Sequence, residues 1–369
     1  RPSTSTTPTN FFSDLGGSGG YSPGPQRFAF LRPMKFKFAF AMALAVAAFV
    51  LPGSVSQPAA AESAVELRIA TLAPNGSSWM KVFNAWNLTI KKETNNTLSL
   101  RFYDGGSQGD ERDFVRKMRA GQMDGAALTS TGLGQLVRQV LVLSVPGAFS
   151  EHKELDRVRE ALGERFEGMF DQEGYTLLGW GDAGKTRLFS MEKVERPSQI
   201  KSLRPWAWKD DLIFTEFLKV IGANPVRLGV PEVYPALQTR MIDTLPASAI
   251  AAVALQWFTR LKYVSKRNSG IIVGATVIRK DKFEALTEEQ KKVLRDTGIR
   301  AHKALNKSIQ RDDDRSYQTM LKRGIVEVDT TEHQAEWDAA GAKVRERLTG
   351  RVFPQSLLDA VMEAAGTKE

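Results

Sequence analysis

The chain of 369 residues contains no cysteine. Disulfides, thiolate metal sites and lipidated cysteines are therefore excluded. Histidine is scarce: His152, His302 and His333 are widely scattered, which argues against a histidine-rich metal site. All three fall in polar, helical contexts beside no G-x-S-x-G nucleophile elbow and no metal-binding spacing. Gly105-Gly106-Ser107 is too short to cradle a phosphate and lacks a following lysine. No block of five or six like charges occurs, so the sequence carries no footprint of nucleic-acid binding. The formal net charge is +9, and residues 1–61 supply +4 of it through Arg1, Arg27, Arg32, Lys35 and Lys37 against Asp14. The remaining +5 is mixed in sign along the chain, as on a solvated surface.

What is present begins at Met34. Met34-Lys35-Phe36-Lys37 opens an apolar run of 14 residues, Phe38 to Leu51, which Pro52, Gly53 and Ser54 break. Ala59-Ala60-Ala61 follows. A basic start, a short apolar core and small residues at the end describe a secretory signal peptide over 34–61. The core is shorter than the roughly 20 residues that a membrane-spanning helix needs. No second apolar run of spanning length follows. Residues 1–33 contain no methionine and are rich in Ser, Thr, Pro and Gly. Such composition cannot offset chain entropy by burial, so this segment reads as disordered or as sequence upstream of an initiator at Met34.

From Val65 the pattern is α/β. Val65 to Ala70 alternates at period two, as does Thr97 to Tyr103. Ser77 or Ser78 can cap a helix carrying Trp79, Val82, Phe83, Trp86 and Ile90. Glu111 to Ala120 reads as a helix ended by Gly121, and Gly125 to Leu128 as a buried strand. The alternation continues through Thr176–Gly179, Leu212–Ile221, Val233–Thr239 and Ile250–Tyr263, then a strand at Ile271–Ile278. Thr287 to about Arg323 is a long helical stretch, and the chain from Glu332 is helical and amphipathic. This order favours mainly parallel sheets covered by helices.

Several segments in order resemble the DctP family of TRAP solute-binding proteins. Gly106-Ser107-Gln108-Gly109-Asp110-Glu111-Arg112 is similar to the family's turn into its second helix. Ala120-Gly121-Gln122-Met123-Asp124 resembles its G-x-x-D step, and Ser144-Val145-Pro146-Gly147-Ala148-Phe149 its LP-x-x-F element. Gly222-Ala223-Asn224-Pro225 precedes Glu232-Val233-Tyr234-Pro235-Ala236-Leu237-Gln238-Thr239 and Ile242-Asp243. That is similar to the family's G-A-x-P followed by E-V-Y-x-A-L-Q-x-G-x-x-D-G. Phe283, Leu286 and Glu289 resemble the F-x-x-L-x-x-E start of a long helix. Physically, Glu232 after Pro231 suits a helix start, where capping is its ordinary work, and Val233 and Leu237 share an apolar face.

The resemblance implies an α/β, two-domain periplasmic binding protein, type II-like and of DctP type, with an inter-domain cleft and long C-terminal helices. Domain I is expected over 62–183 plus 273–312 and domain II over 184–272 plus 313–369. The implied partners are a small-molecule solute and TRAP membrane permease subunits, or a tetratricopeptide-repeat periplasmic protein; no cofactor, no metal and no nucleic acid are implied. The implied location is periplasmic.

Family members generally hold a carboxylate with an arginine in a short strand, G-L-K-x-R-V-P. The corresponding stretch here is Lys201-Ser202-Leu203-Arg204-Pro205-Trp206-Ala207-Trp208-Lys209, and the arginine position falls on Trp206 or Ala207. An asparagine place in the family falls on Ala247, beside Ser248, and a polar place after the G-x-x-D strand falls on Thr129 or Ser130. Asn75 in the first loop completes the set of cleft candidates. Burying a carboxylate without a paired cation costs several kcal/mol. The pocket is therefore expected to favour an apolar or aromatic solute, with Trp206 and Trp208 lining it if their shared face is the cleft face rather than the core face. Two other readings stay open: an organic acid held by Lys185 or Arg187, and an envelope sensor or lipid carrier uncoupled from transport. Trp257, on a helix near the cleft in relatives, reads as a packing residue, and enzymatic chemistry lacks a positioned base. N-terminal sequencing of the exported protein is expected to read from Glu62; a mature terminus upstream of Met34 would contradict the signal-peptide assignment.

Overall fold

The computed structural model describes residues 64–367. The expected signal peptide at 34–61 and the segment 1–33 lie outside the described residues. Ten strands and eleven α-helices follow one another as β1 (Val65–Thr71), α1 (Ser78–Glu93), β2 (Leu98–Tyr103), α2 (Glu111–Arg119), β3 (Gly125–Thr129), α3 (Ser130–Leu136), α4 (His152–Gln172), β4 (Tyr175–Ser190), β5 (Trp206–Trp208), α5 (Leu212–Val220), β6 (Val226–Leu228), α6 (Val230–Gln238), β7 (Thr244–Ala247), α7 (Ala249–Ala254), β8 (Tyr263–Ser265), β9 (Gly270–Arg279), α8 (Lys280–Glu284), α9 (Glu288–Lys322), β10 (Val326–Val328), α10 (Gln334–Leu348) and α11 (Gln355–Ala365). No described helix is long and apolar enough to cross a membrane.

The helix starts follow local chemistry. Ser77, not Ser78, caps α1, accepting from the Met80 N–H. Thr287 and Gln290 exchange side-chain and backbone hydrogen bonds at the start of α9, a capping box. Glu232 accepts from the Gly229 N–H at the start of α6 and pairs with Lys209, so it is a capping residue.

The sheet is mixed, not mainly parallel. β1 pairs in parallel with β2 and β3, and β10 with β8. β9 runs antiparallel to both β3 and β4, and β4 runs antiparallel to β7 and β8. β5 and β6 form a separate parallel pair. The alternation of strands and helices could not register the two long strands, because each pairs antiparallel with a strand distant in sequence.

β4 is the largest departure from the sequence reading, which placed a strand only at Thr176–Gly179. It runs for 16 residues and pairs with β9 from Tyr175↔Arg279 to Thr186↔Gly270, with irregularities at Leu177/Gly179 and Asp182/Lys185. Its far end, Arg187 to Ser190, pairs with β7. Three glycines interrupt its alternation, each against a tight neighbour: a Cβ on Gly179 would lie 2.5 Å from the His302 ring. The Ile250–Tyr263 stretch also resolves differently. α7 stops at Ala254, Gln256 turns left-handed with φ 60°, and a single turn, Trp257–Arg260, leads into β8.

Three apolar clusters fill the interior. One joins β1, β2 and α1 to the first half of α9 through Ile69, Phe83, Trp86, Leu294 and Ile309. A second joins Phe189, Trp206, Leu237, Leu245 and Trp257 to Tyr317 and Met320 at the end of α9. The third runs from Phe114 and Leu128 through Phe166 and Val277 to Ala207, Leu218, Leu348 and Val361. α11 packs on α4, and α10 on α5.

β3 and β9 approach closely at Gly125, where an added Cβ would meet the Val277 carbonyl oxygen at 2.5 Å. Backbone cannot yield as a flexible side chain does. Gly125→Ala should cost about 1–3 kcal/mol, read as a lower urea midpoint at unchanged slope.

Candidate functional site

A cavity of about 810 Å³ lies along the crossing strands. Its walls come from the end of β1 (Thr71 to Pro74), the β3–α3 junction (Ala127 to Thr131), the bulged part of β4, the β5 tryptophans, α5, and the loop from Arg267 into β9. A cleft of this size suits a small organic ligand.

β5 supplies the most distinctive wall. Trp206 and Trp208 share one face of the strand, and both line the cleft. Their rings lie 6.2 Å apart at 27°, and Trp257 meets Trp206 edge-on at 5.6 Å and 70°. The indole nitrogens are already engaged: Trp206 Nε1 donates to the Leu228 carbonyl at 3.0 Å, and Trp208 Nε1 to Asp110 Oδ2 at 2.7 Å. The two β5 rings therefore present mainly carbon surface to the cleft. Ala207 points the other way and is fully buried in the core. It does not line the cleft, because strand alternation gives the opposite face to its neighbours.

The other candidates divide. Thr129 and Ser130 line the cleft, although the Thr129 hydroxyl donates to Glu111 at 2.9 Å. Ala247 lines it from β7, opposite Arg187 of β4. Ser248 does not: it is fully buried and caps α7 by accepting from the Ala251 N–H. Asn75 is exposed and outside the cleft wall, whose first loop contributes Leu72, Ala73 and Pro74 instead. Lys185 is also absent from the wall and pairs with Glu151 at 3.2 Å.

Arg187 does line the cleft. Its guanidinium lies 4.0 Å from the centre of the Tyr317 ring, and Nη1 donates to the carbonyls of Ser265 and Lys266. Among the described residues it forms no ion pair.

Two buried acids that the sequence reading passed over also face the cavity. Asp182, at the β4 irregularity, is buried, which opposes its charge, yet Arg159 at 2.6 Å and His152 at 3.2 Å hold it below the ordinary carboxylate range. Glu111 accepts from Thr129 N, Gly132 N and the Thr129 hydroxyl. Burial outweighs those donors and pushes it up to about 8. His302 is not solvent-facing: it is buried, bonded to the Thr276 hydroxyl and the Gly298 carbonyl, and burial lowers it to about 4. No cluster of three or more metal-ligating side chains occurs among the described residues. Asp182 had a faint sequence signal, a lone acid beside Ala183-Gly184; Glu111 had none, since an acid in a first helical turn is ordinary.

A mixed α/β shell enclosing one aromatic cleft beside two shared strands is the build of a solute receptor. Residues 69–350 match the model of the DctP family, bacterial extracellular solute-binding protein, family 7, and the chain belongs to that family. The 2,3-diketo-L-gulonate-binding periplasmic protein YiaO of Escherichia coli is 26% identical over 289 residues, which are 75% of this chain and 85% of that protein. The C4-dicarboxylate-binding periplasmic protein DctP of Rhodobacter capsulatus is 21% identical, across 87% of this chain and 96% of that protein. Among solved structures, DctP7 of Bordetella pertussis, an extracytoplasmic solute receptor binding pyroglutamic acid, superposes with a TM-score of 0.76 at 17% identity, covering 82% of this chain and 100% of that one. The fold is thus that of the two-domain TRAP solute-binding proteins.

Glu111 makes the stability depend on pH. An acid whose folded value is raised contributes stability that is complete below its unfolded value and is lost as pH rises toward the folded one. Between about pH 5 and pH 8 the native state should therefore lose stability through this group, by at most about 1.4 kcal/mol per pH unit. Urea denaturation across that range should show Glu111→Gln gaining on the wild type as pH rises; parallel curves would contradict it.

Proposed function

We propose that this chain is the periplasmic receptor of a TRAP transporter and that its cleft takes a small, predominantly apolar or aromatic solute for delivery to the membrane permease. The observation that carries the solute class is the β5 strand. Where relatives generally place a carboxylate-binding arginine, Trp206 and Trp208 face the cleft with their Nε1 atoms already bonded. Each ring offers a large apolar surface at little cost in side-chain entropy. Capture is then reversible closure around the solute, with no step of catalysis. The expected signal peptide at 34–61 and the periplasmic relatives support export.

A second reading has its own observation. Arg187 lines the cleft without an ion-pair partner among the described residues. The relatives named above take organic acids, and a planar guanidinium suits a carboxylate. An apolar body bearing one acidic group satisfies both walls.

The expected lobe boundaries are retained with one change. The β4 irregularity at Asp182/Lys185 supports a crossover at 183/184. The packing of α11 on α4 supports grouping 355–365 with the first lobe rather than the second.

Native mass spectrometry of the protein taken from the periplasm should reveal a co-purified apolar or aromatic molecule. Calorimetry should then show no micromolar binding of succinate or malate, and such binding would overturn the proposed solute class. Arg187→Ala should leave binding of an uncharged aromatic within about twofold; a loss of ten-fold or more confined to its carboxylate analogue selects the second reading.

A further inference from the structure

One polar contact ties the α2 side of the cavity to the β5–α6 side. α2 packs on β1, β3 and α3, whereas β5 packs on β6, β7 and α5. Between these two groups stands the Asp110 carboxylate. Its Oδ1 accepts from the Glu111 N–H at 2.9 Å and so caps α2. Its Oδ2 accepts from Trp208 Nε1 at 2.7 Å and from the Val230 N–H, the first residue of α6, at 3.2 Å. Gly229 is shaped to this oxygen: a Cβ there would lie 2.5 Å from Oδ2. Charge-assisted bonds of this length are stronger than neutral ones. Burial raises the Asp110 carboxyl above its ordinary range, as expected of a carboxylate enclosed between two surfaces.

We propose that Asp110 is a positioning residue for solute capture: it fixes the Trp208 indole in the cleft wall and ties the α2 side of the cleft to the β5–α6 side, biasing the cleft toward closure. Opening separates α2 from β5 and α6, and it strips Trp208 Nε1 and Val230 N of their shared acceptor. Those donors then need water in its place. Whatever solute the aromatic wall receives, its binding is linked to this contact, since the same indole belongs to both. The proposal depends on the cavity being the solute cleft but not on the solute being apolar.

Three substitutions separate latching from helix capping. Asp110→Ser keeps a good N-cap but is too short to reach Trp208. Trp208→Phe removes the donor and keeps a ring. Gly229→Ala crowds Oδ2 while leaving both partners, and its φ of −76° suits alanine.

The absence of cysteine allows a clean distance measurement. Leu88 on α1 and Met241 beyond α6 are both exposed, at 67% and 53%. Leu88→Cys and Met241→Cys would carry spin labels, and pulsed electron resonance would read the interlabel distances without solute. The wild type should show a populated short distance. Each of the three variants should lower the short-to-long ratio, by roughly tenfold for Asp110→Ser, with thermal midpoints near that of the wild type. Asp110→Ser and Trp208→Phe combined should do no more than Asp110→Ser alone, since the serine already removes the Trp208 contact. A wild type showing the long distance alone would overturn the proposal. So would unchanged ratios in the variants, even with lowered thermal midpoints. Should Asp110→Ser fail to fold, Trp208→Phe and Gly229→Ala decide by the same ratio. These measurements use no solute, so their failure is independent of whether succinate or an aromatic binds.

Discussion

The pairing of β4 with β9 is the constraint on which the rest of the molecule depends. Both strands continue past the edge of the sheet formed by β1, β2 and β3, and β4 goes on to meet β7 and β8. A strand pair cannot pass between two sheet regions without changing direction, and the irregularity at Asp182/Lys185 supplies the change. α9 holds that irregularity in place. Asn306 accepts from the Asp182 N–H, and Asp313 accepts from the Lys185 and Ile250 N–H groups. Gly184 permits the approach, with φ 98° and a hypothetical Cβ only 2.7 Å from Asp313. Buried backbone donors left by a bulge would otherwise be costly, so the side chains from α9 convert an interruption into a fixed corner.

The electrostatics of the cleft follow from that corner and from burial. Asp182 lies in its floor yet is answered by Arg159 and His152. Glu111 is kept from ionising readily by its surroundings, and Asp110 is committed to Trp208 and Val230. Acids near the cavity are therefore matched or subdued, while Arg187 stacks on Tyr317 and bonds two carbonyls without forming an ion pair among the described residues. This balance lets an aromatic wall coexist with polar groups without a strong net field at its centre.

How much of this was legible in the chain depends on the range of the interactions. Short-range chemistry was readable: a serine cap for α1, the alternation of β1 and β2, the capping use of Glu232 and the ordered family motifs all act within a few residues. β4 was not, because Gly179, Gly181 and Gly184 break its alternation and its strand partners lie far along the chain, in β7, β8 and β9. The shared face of Trp206 and Trp208 followed from period two, but which face looked into the cleft did not. Both sides of β5 are covered by apolar surface, so hydrophobicity carried no direction. The cross-cleft partner of Trp208 was likewise invisible, since Asp110 reads as an ordinary helix cap until the fold brings the two together.

α9 has a mechanical consequence. At 35 residues it extends about 52 Å, and its two ends are anchored in different apolar clusters, Leu294 and Ile309 in one and Tyr317 and Met320 in the other. It behaves as a splint laid across the joint. Any gaping of the cleft must flex the splint or shear one anchorage, and both raise the energy progressively with angle. With no proline along its length and no glycine beyond Gly298, the helix has no built-in hinge there and resists bending as one piece.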